Sequence, residues 1–234
     1  MRDSLRHFAA EFVGTFALVF VGSGAIISAQ AARMDAALVA IALAHGIILA
    51  VMVSATMRIS GHFNPAVTIG FLAARRIEPV MAGVYMAAQI IGAIAAAYAL
   101  QGLLPAMLTE PSRVGGQSIA SEISTAQAIG LEAIATFFLT FVIFGTAVDP
   151  KAPRIGGLAI GFTLTAAIFA IGPFTGGSLN PARSLGPAVV SGVFEGQAVY
   201  WIGPIVGALV AAVMYEWLFI RRDREPVDHG AVRP

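Results

Sequence analysis

Two stretches, SGHFNPAVTIG (Ser60–Gly70) and GGSLNPARSLG (Gly176–Gly186), decide the fold of this chain. Each contains Asn-Pro-Ala: Asn64, Pro65 and Ala66 in the first, Asn180, Pro181 and Ala182 in the second. Asparagine is a strong helix N-cap, because its side-chain oxygen accepts from a backbone N–H left over in the first turn. Proline suits the first helical position, where its missing N–H would have been unbonded anyway. Both triplets therefore read as helix starts, heading the apolar runs Asn64–Ala74 and Asn180–Val190. At about 1.5 Å per residue, each run covers about 16 Å, roughly half of a bilayer's hydrocarbon core. One such triplet is an ordinary helix cap. Two copies, each opening a half-length apolar helix, are a specific signal.

The surroundings of these runs are long and apolar. Residues are 58% hydrophobic and 12% charged, against about 25% charged in ordinary soluble domains. Six segments are long enough to span: Phe8–Ser28, Ala36–Met57, Val80–Leu104, Ala126–Val148, Ile155–Pro173 and Ala198–Ile220. Phe8–Ser28 is too long for a signal-peptide core and carries Glu11, so it reads as an uncleaved first span. Gly203 and Gly207 in the last span, and Ala88 and Gly92 in the third, stand four apart and let helix backbones approach closely in lipid.

The chain also repeats itself. AEFVGTFALVF (Ala10–Phe20) matches LEAIATFFLTF (Leu131–Phe141), pairing Glu11 with Glu132 and Thr15 with Thr136. We divide the single transmembrane domain, 1–234, into repeats over about 8–104 and 126–220 with a linker at about 105–125. Three spans per half, an odd number, invert the second half in the bilayer. Inverted repeats place their sites near the midplane, on discontinuous helices. The two short runs then enter from opposite faces and meet at their N-termini. The expected fold class is an all-α membrane protein of six spans plus two half-membrane helices.

Eleven basic residues fall on the face holding both termini: Arg2, Arg6, Arg58, Arg75, Arg76, Lys151, Arg154, Arg221, Arg222, Arg224 and Arg233. Only Arg33 and Arg113 fall opposite, which puts both termini in the cytoplasm. Short termini and loops suggest a prokaryotic inner membrane. A net charge of +1 leaves no basic surface for nucleic acid. The absence of cysteine excludes disulfides and thiolate metal sites. No nucleophile–base pair, phosphate loop or metal cluster stands out, so neither enzyme nor cofactor is expected.

Two facing helix N-termini concentrate partial positive charge at one spot. Backbone there must be shielded by protein or line a watery cavity. The amides of Asn64 and Asn180 donate to a passing oxygen, and cations lose hydration without replacement ligands. The reading is a passive channel for water and small neutral solutes. A secondary transporter of the same inverted plan is the alternative of another class. It calls for an ion cage, and the intramembrane charges are Glu11, Glu132 and Arg183. The two carboxylates read as acceptors for loop N–H groups rather than as a proton relay. His62 either lines the inner vestibule or braces the loop.

These motifs closely resemble the aquaporin, or major intrinsic protein, family, from Glu11 to about Trp217. The second half, with AIGPFTGGSLNPARSLGPAVVSG and VYWIGP, is most similar to plant tonoplast intrinsic proteins. The resemblance implies a six-helix pore with two half-helices and a homotetramer of separately conducting monomers. It also implies an outer constriction of four residues. Arg183, Gly177 and Ile168 transfer by their offsets from Asn180, and ALAHG suggests His45. The chain has SGHFNPA where SGGHFNPA is common, one residue shorter before Asn64. An intramembrane arginine is functional by default, whereas His45 in an apolar span has the alternative of a bond between helices. Ile168 has core packing as its alternative, and Gly177 turn chemistry. The ordinary pKa of histidine, near about 6.5, makes His45 the one constriction residue able to titrate near neutrality.

Glycerol channels of the family usually carry Asp after NPAR, and here Ser184 follows Arg183. Water is thus favoured over glycerol or urea. Ile168 and Gly177 still suggest a wider, less polar constriction, similar to that of tonoplast members that also pass ammonia. Some of those have a histidine in the loop after the third span. Alignment puts Gln117 there, which argues against ammonia.

Overall fold

The computed structural model describes residues 2–153 and 155–221, the side chain of Arg2 excepted. Arg154, Arg222, Arg224 and Arg233, counted above for orientation, lie outside the described residues. In chain order the helices are α1 (Arg2–Ala31), α2 (Ala37–Thr56), α3 (Pro65–Ala73), α4 (Pro79–Leu103), α5 (Ala106–Thr109), α6 (Thr125–Ile143), α7 (Gly156–Thr175), α8 (Pro181–Ser191) and α9 (Val199–Tyr215). π turns extend α6 through Phe144–Val148 and α9 through Glu216–Arg221. Six of these, α1, α2, α4, α6, α7 and α9, are long and apolar enough to cross a membrane. No strand occurs among the described residues. The all-α membrane architecture read from the sequence is the one observed.

Helix ends differ from the apolar runs for a physical reason. Hydropathy marks the depth of lipid, not the end of a helix. α1 starts at Arg2, six residues before the apolar run, and carries Asp3 in its first turn, where a negative charge suits the dipole. α7 passes Pro173 and stops at Thr175, where Gly176 adopts φ +77°. A positive φ costs glycine nothing and ends the helix. α6 begins with a full capping box between Ser124 and Gln127.

The helices pack as two matching halves. α1 lies against α4, and α6 against α9. A Cβ on Gly92 of α4 would stand 2.6 Å from the carbonyl oxygen of Phe12 on α1. A Cβ on Gly207 of α9 would stand 2.0 Å from that of Ala133 on α6. Gly92 and Gly207 thus do the same job in each half: they let two backbones touch where no side chain fits. α2 and α7 cross in the same way, with Gly46 against Gly161. Large apolar side chains such as Val13, Ile47, Phe138, Phe162 and Val210 point outward. In lipid that costs nothing, since the tails are as apolar as the side chains.

α3 and α8 are the half-length helices. They enter from opposite faces and aim their N-termini at one another near the middle of the bundle. α3 rests on α9 and α8 on α4, so each half-helix packs on the other half's last span.

Candidate functional site

Each half-helix begins with its asparagine in extended conformation. Asn64 Oδ1 accepts from the Ala66 N–H at 2.9 Å. Asn180 Oδ1 accepts from Ala182 N–H at 3.0 Å and Arg183 N–H at 3.3 Å. Capping fixes which end of each amide faces its helix, so the amide nitrogen must point away. Asn64 Nδ2 donates across the junction to the Leu179 carbonyl at 2.7 Å. Asn180 Nδ2 donates back to the Phe63 carbonyl at 2.8 Å. The two halves are stitched at their centre by this crossed pair. An amide nitrogen has two hydrogens, and each cross-bond uses one, leaving the other for the space between the helices.

Phe63 and Leu179 make the crossing geometry. Both sit just before an asparagine, and both take left-handed backbone, φ +50° and +55°. That conformation costs a non-glycine residue roughly 1–2 kcal/mol, so something must hold it. Glu11 accepts from His62 N–H at 2.8 Å and Phe63 N–H at 2.7 Å. Glu132 accepts from Ser178 N–H at 2.9 Å and Leu179 N–H at 2.7 Å. Both carboxylates are fully buried. Gln89 Nε2 also donates to Glu11 at 2.7 Å, and Thr175 Oγ1 donates to Glu132 at 2.7 Å.

A cavity runs along the junction. Leu18, Leu49, Val67, Leu139, Ile143, Ile160 and Leu164 form an apolar wall. His62, Asn64, Ser178, Asn180 and Arg183 form the polar side. His62 both lines this cavity and braces the loop: its backbone N–H binds Glu11, and its Nδ1 lies 3.1 Å from Thr68 Oγ1. A second hollow, toward the face opposite the termini, is bounded by Ile168, Gly176 and Gln117 among others.

Arg183 lines the first of these spaces and is 1% exposed. His45 is fully buried beside it. Its Nδ1 lies 2.8 Å from the Ile41 carbonyl, and its Nε2 lies 2.8 Å from Arg183 Nη2. A carbonyl only accepts and a guanidinium only donates. The imidazole therefore carries its proton on Nδ1 and offers the Nε2 lone pair to Arg183. Gly22 of α1 makes room for the ring, since a Cβ there would lie 2.3 Å from Nε2.

Gln117 comes from the linker. With the amide turned so that both of its ends find partners, its nitrogen donates to Ser184 Oγ at 3.1 Å and its oxygen accepts from Arg183 Nη1 and Nη2, the latter at 3.3 Å. Arg183 Nε–H has no protein partner among the described residues. Gly177, at φ +56°, lies against Ile168: a Cβ on it would stand 3.2 Å from Ile168 Cα. The structure thus joins Arg183 to His45 and to Gln117, and sets Gly177 against Ile168. Sequence reasoning aligned Gln117 without placing it in the site, and passed over Gly22 and Ser184 as site residues. No group of three or more potential metal ligands occurs among the described residues.

The family model described as Major intrinsic protein matches residues 1–215. "Probable aquaporin TIP3-2" of Arabidopsis thaliana is 40% identical, with 99% of this chain and 90% of that protein covered. Aquaporin TIP2-1 of the same plant is 41% identical over 93% of this chain and 88% of its own length. Among solved structures, the aquaglyceroporin from Plasmodium falciparum superposes with a TM-score of 0.83 at 26% identity, covering 95% of this chain and all of that one.

Proposed function

The chain belongs to the major intrinsic protein family and is a multi-pass membrane channel for small solutes; from that premise we propose that water is its main permeant. The observation that carries the proposal is the crossed asparagine pair, Asn64 to Leu179 and Asn180 to Phe63. It holds two amide donors at the facing N-termini of two helices, beside an apolar wall. A molecule there is offered donors on one side and nothing on the other. Water accepts and moves on. A cation meets two positive helix ends and no ligands to replace its hydration.

The outer filter in this proposal is His45, Ile168, Gly177 and Arg183, with Gln117 as an added member. Arg183 supplies the charge and the free Nε–H donor, and His45 acts through Arg183. Asn64, Pro65, Ala66, Asn180, Pro181 and Ala182 form the midpoint, held by Glu11 and Glu132, with His62 at the inner end. Ile168 and Gly177 give the filter an apolar, uncrowded side, which supports ammonia as a second permeant. Repeats at about 8–104 and 126–220 form one domain.

The family resemblance supports a homotetramer of conducting monomers, and the excess of basic residues supports cytoplasmic termini. The prokaryotic inner membrane expected from short loops gains no support from the relatives, which are plant proteins.

The test is stopped-flow shrinkage of proteoliposomes, with ammonia-driven internal alkalinisation measured in parallel. Water permeability well above that of empty vesicles is expected. Permeability equal to theirs overturns the proposal.

A further inference from the structure

We propose that Ser184 is a positioning residue of the filter: its hydroxyl orients the Gln117 amide so that the amide oxygen, not its nitrogen, faces Arg183. This rests on the filter assigned above. The hydrogen bonds form a directional chain. Ser184 Oγ contacts Ser178 Oγ, and each of these hydroxyls can donate to the Asn180 carbonyl, at 3.4 and 2.9 Å. Ser178 Oγ also accepts from Asn180 N–H at 3.3 Å. With its own proton spent inward, Ser184 has only a lone pair to offer Gln117. The amide must then give its N–H to Ser184, at 3.1 Å, and its oxygen is left for the guanidinium.

The other half of the molecule supports this independently. Thr68 stands four residues after Asn64, as Ser184 stands four after Asn180. Thr68 Oγ1 donates to the Asn64 carbonyl at 3.1 Å and accepts an amide N–H from Gln89 at 3.0 Å. The hydroxyl after each motif thus receives a glutamine amide. In the first half that amide's nitrogen also reaches Glu11, deep in the scaffold. In the second half the amide, once its nitrogen is given to Ser184, turns its oxygen to Arg183, at the filter. Removing the Ser184 hydroxyl leaves the Gln117 nitrogen without its acceptor, so the side chain no longer pins Arg183 and the filter discriminates less by size.

The experiment compares urea with water permeability in proteoliposomes. Ser184→Ala should raise the urea-to-water ratio by about threefold or more, the effect of one lost hydrogen bond. Ser184→Thr, which keeps the hydroxyl, should restore the wild-type ratio. Gln117→Leu, outside the buried helix, should give the same rise alone, and adding Ser184→Ala to it should change nothing further. An unchanged ratio in Gln117→Leu, or an equal second rise in the double variant, overturns the proposal whether or not Ser184→Ala folds. Wild-type water flux no greater than that of empty vesicles would instead overturn the function on which it rests.

Discussion

Adding one methyl group at Gly22 tests how His45 serves the filter. A Cβ at that position lies 2.3 Å from His45 Nε2 and 2.5 Å from its Cδ2. Ordinary contact is 3.4 Å or more, so the ring must retreat by about 1 Å. The bonds at Nδ1 and Nε2 are both 2.8 Å, and a hydrogen bond of this kind is lost beyond about 3.2–3.5 Å. The ring cannot move that far and keep both. α1 has little room to yield instead, because the Gly115 backbone already packs closely on Ser23, the next residue of α1. The loss of a bond to a charged group costs about 1.5–3 kcal/mol, and overpacking about 1–3 kcal/mol. Gly22→Ala should therefore lower thermal stability in detergent and cut water flux severalfold, as the ring is driven off α1 toward the passage. Stopped-flow shrinkage, normalised to reconstituted protein, reads the flux. Gly24→Ala is the control: its Cβ would meet only Leu100, at an ordinary 3.6 Å. Gly22→Ala/His45→Ala should recover the flux of His45→Ala alone. Wild-type flux and stability in Gly22→Ala would refute the reasoning.

Further outcomes follow from the same geometry. Glu132→Ala and Glu11→Ala each strand two buried backbone N–H groups, at about 1–3 kcal/mol apiece; both should unfold at lower temperature, read by the fluorescence of Trp201 and Trp217, and an unmoved midpoint counts against the scaffold role. Gly207→Val would drive a side chain into the Ala133 carbonyl, 2.0 Å from its Cβ; it should abolish the folded channel in size-exclusion chromatography, and a normal elution profile contradicts the close α6–α9 contact. With no cysteine in the chain, mercuric chloride should leave water flux unchanged, and inhibition reversed by a thiol would contradict a thiol-free pore.

Much of the fold was legible because membrane burial leaves a coarse record. Length and apolarity mark the six spans, and the cap chemistry of Asn64-Pro65 and Asn180-Pro181 marks both half-helices to within a residue or two. The filter was harder to read. Nothing local separates Gly22 from the other small residues of α1, because its meaning depends on a ring 23 positions away. Phe63 and Leu179 carry no left-handed signal, since that conformation normally favours glycine or asparagine. It is imposed from outside, by the carboxylates of α1 and α6. Spacing offers His45 as one of four constriction residues but says nothing of how it acts there. Its hold on Arg183 depends on the bonds at its two ring nitrogens, which spacing does not encode.

The linker's part in the site follows from where the repeat is broken. VYMAAQIIG (Val84–Gly92) and VYWIGPIVG (Val199–Gly207) align Tyr85 with Tyr200 and Gly92 with Gly207, but Gln89 with Pro204. In the first half, Gln89 bonds both Glu11 and Thr68. Proline has no side-chain amide to do the same for Glu132 and Ser184. Thr175 donates to Glu132 instead, and Ser184 takes its amide from Gln117, outside both repeats. The same comparison sets Val67 opposite Arg183. One half therefore has an apolar side chain and an amide supplied by its own helix; the other has a cation and an amide supplied by the linker. The halves stay symmetric where backbone must be held, at Glu11 and Glu132, and diverge at the proposed filter. With the proposed filter, selectivity is set on one side of the crossed asparagines, and a substitution in the linker should alter it without disturbing the scaffold.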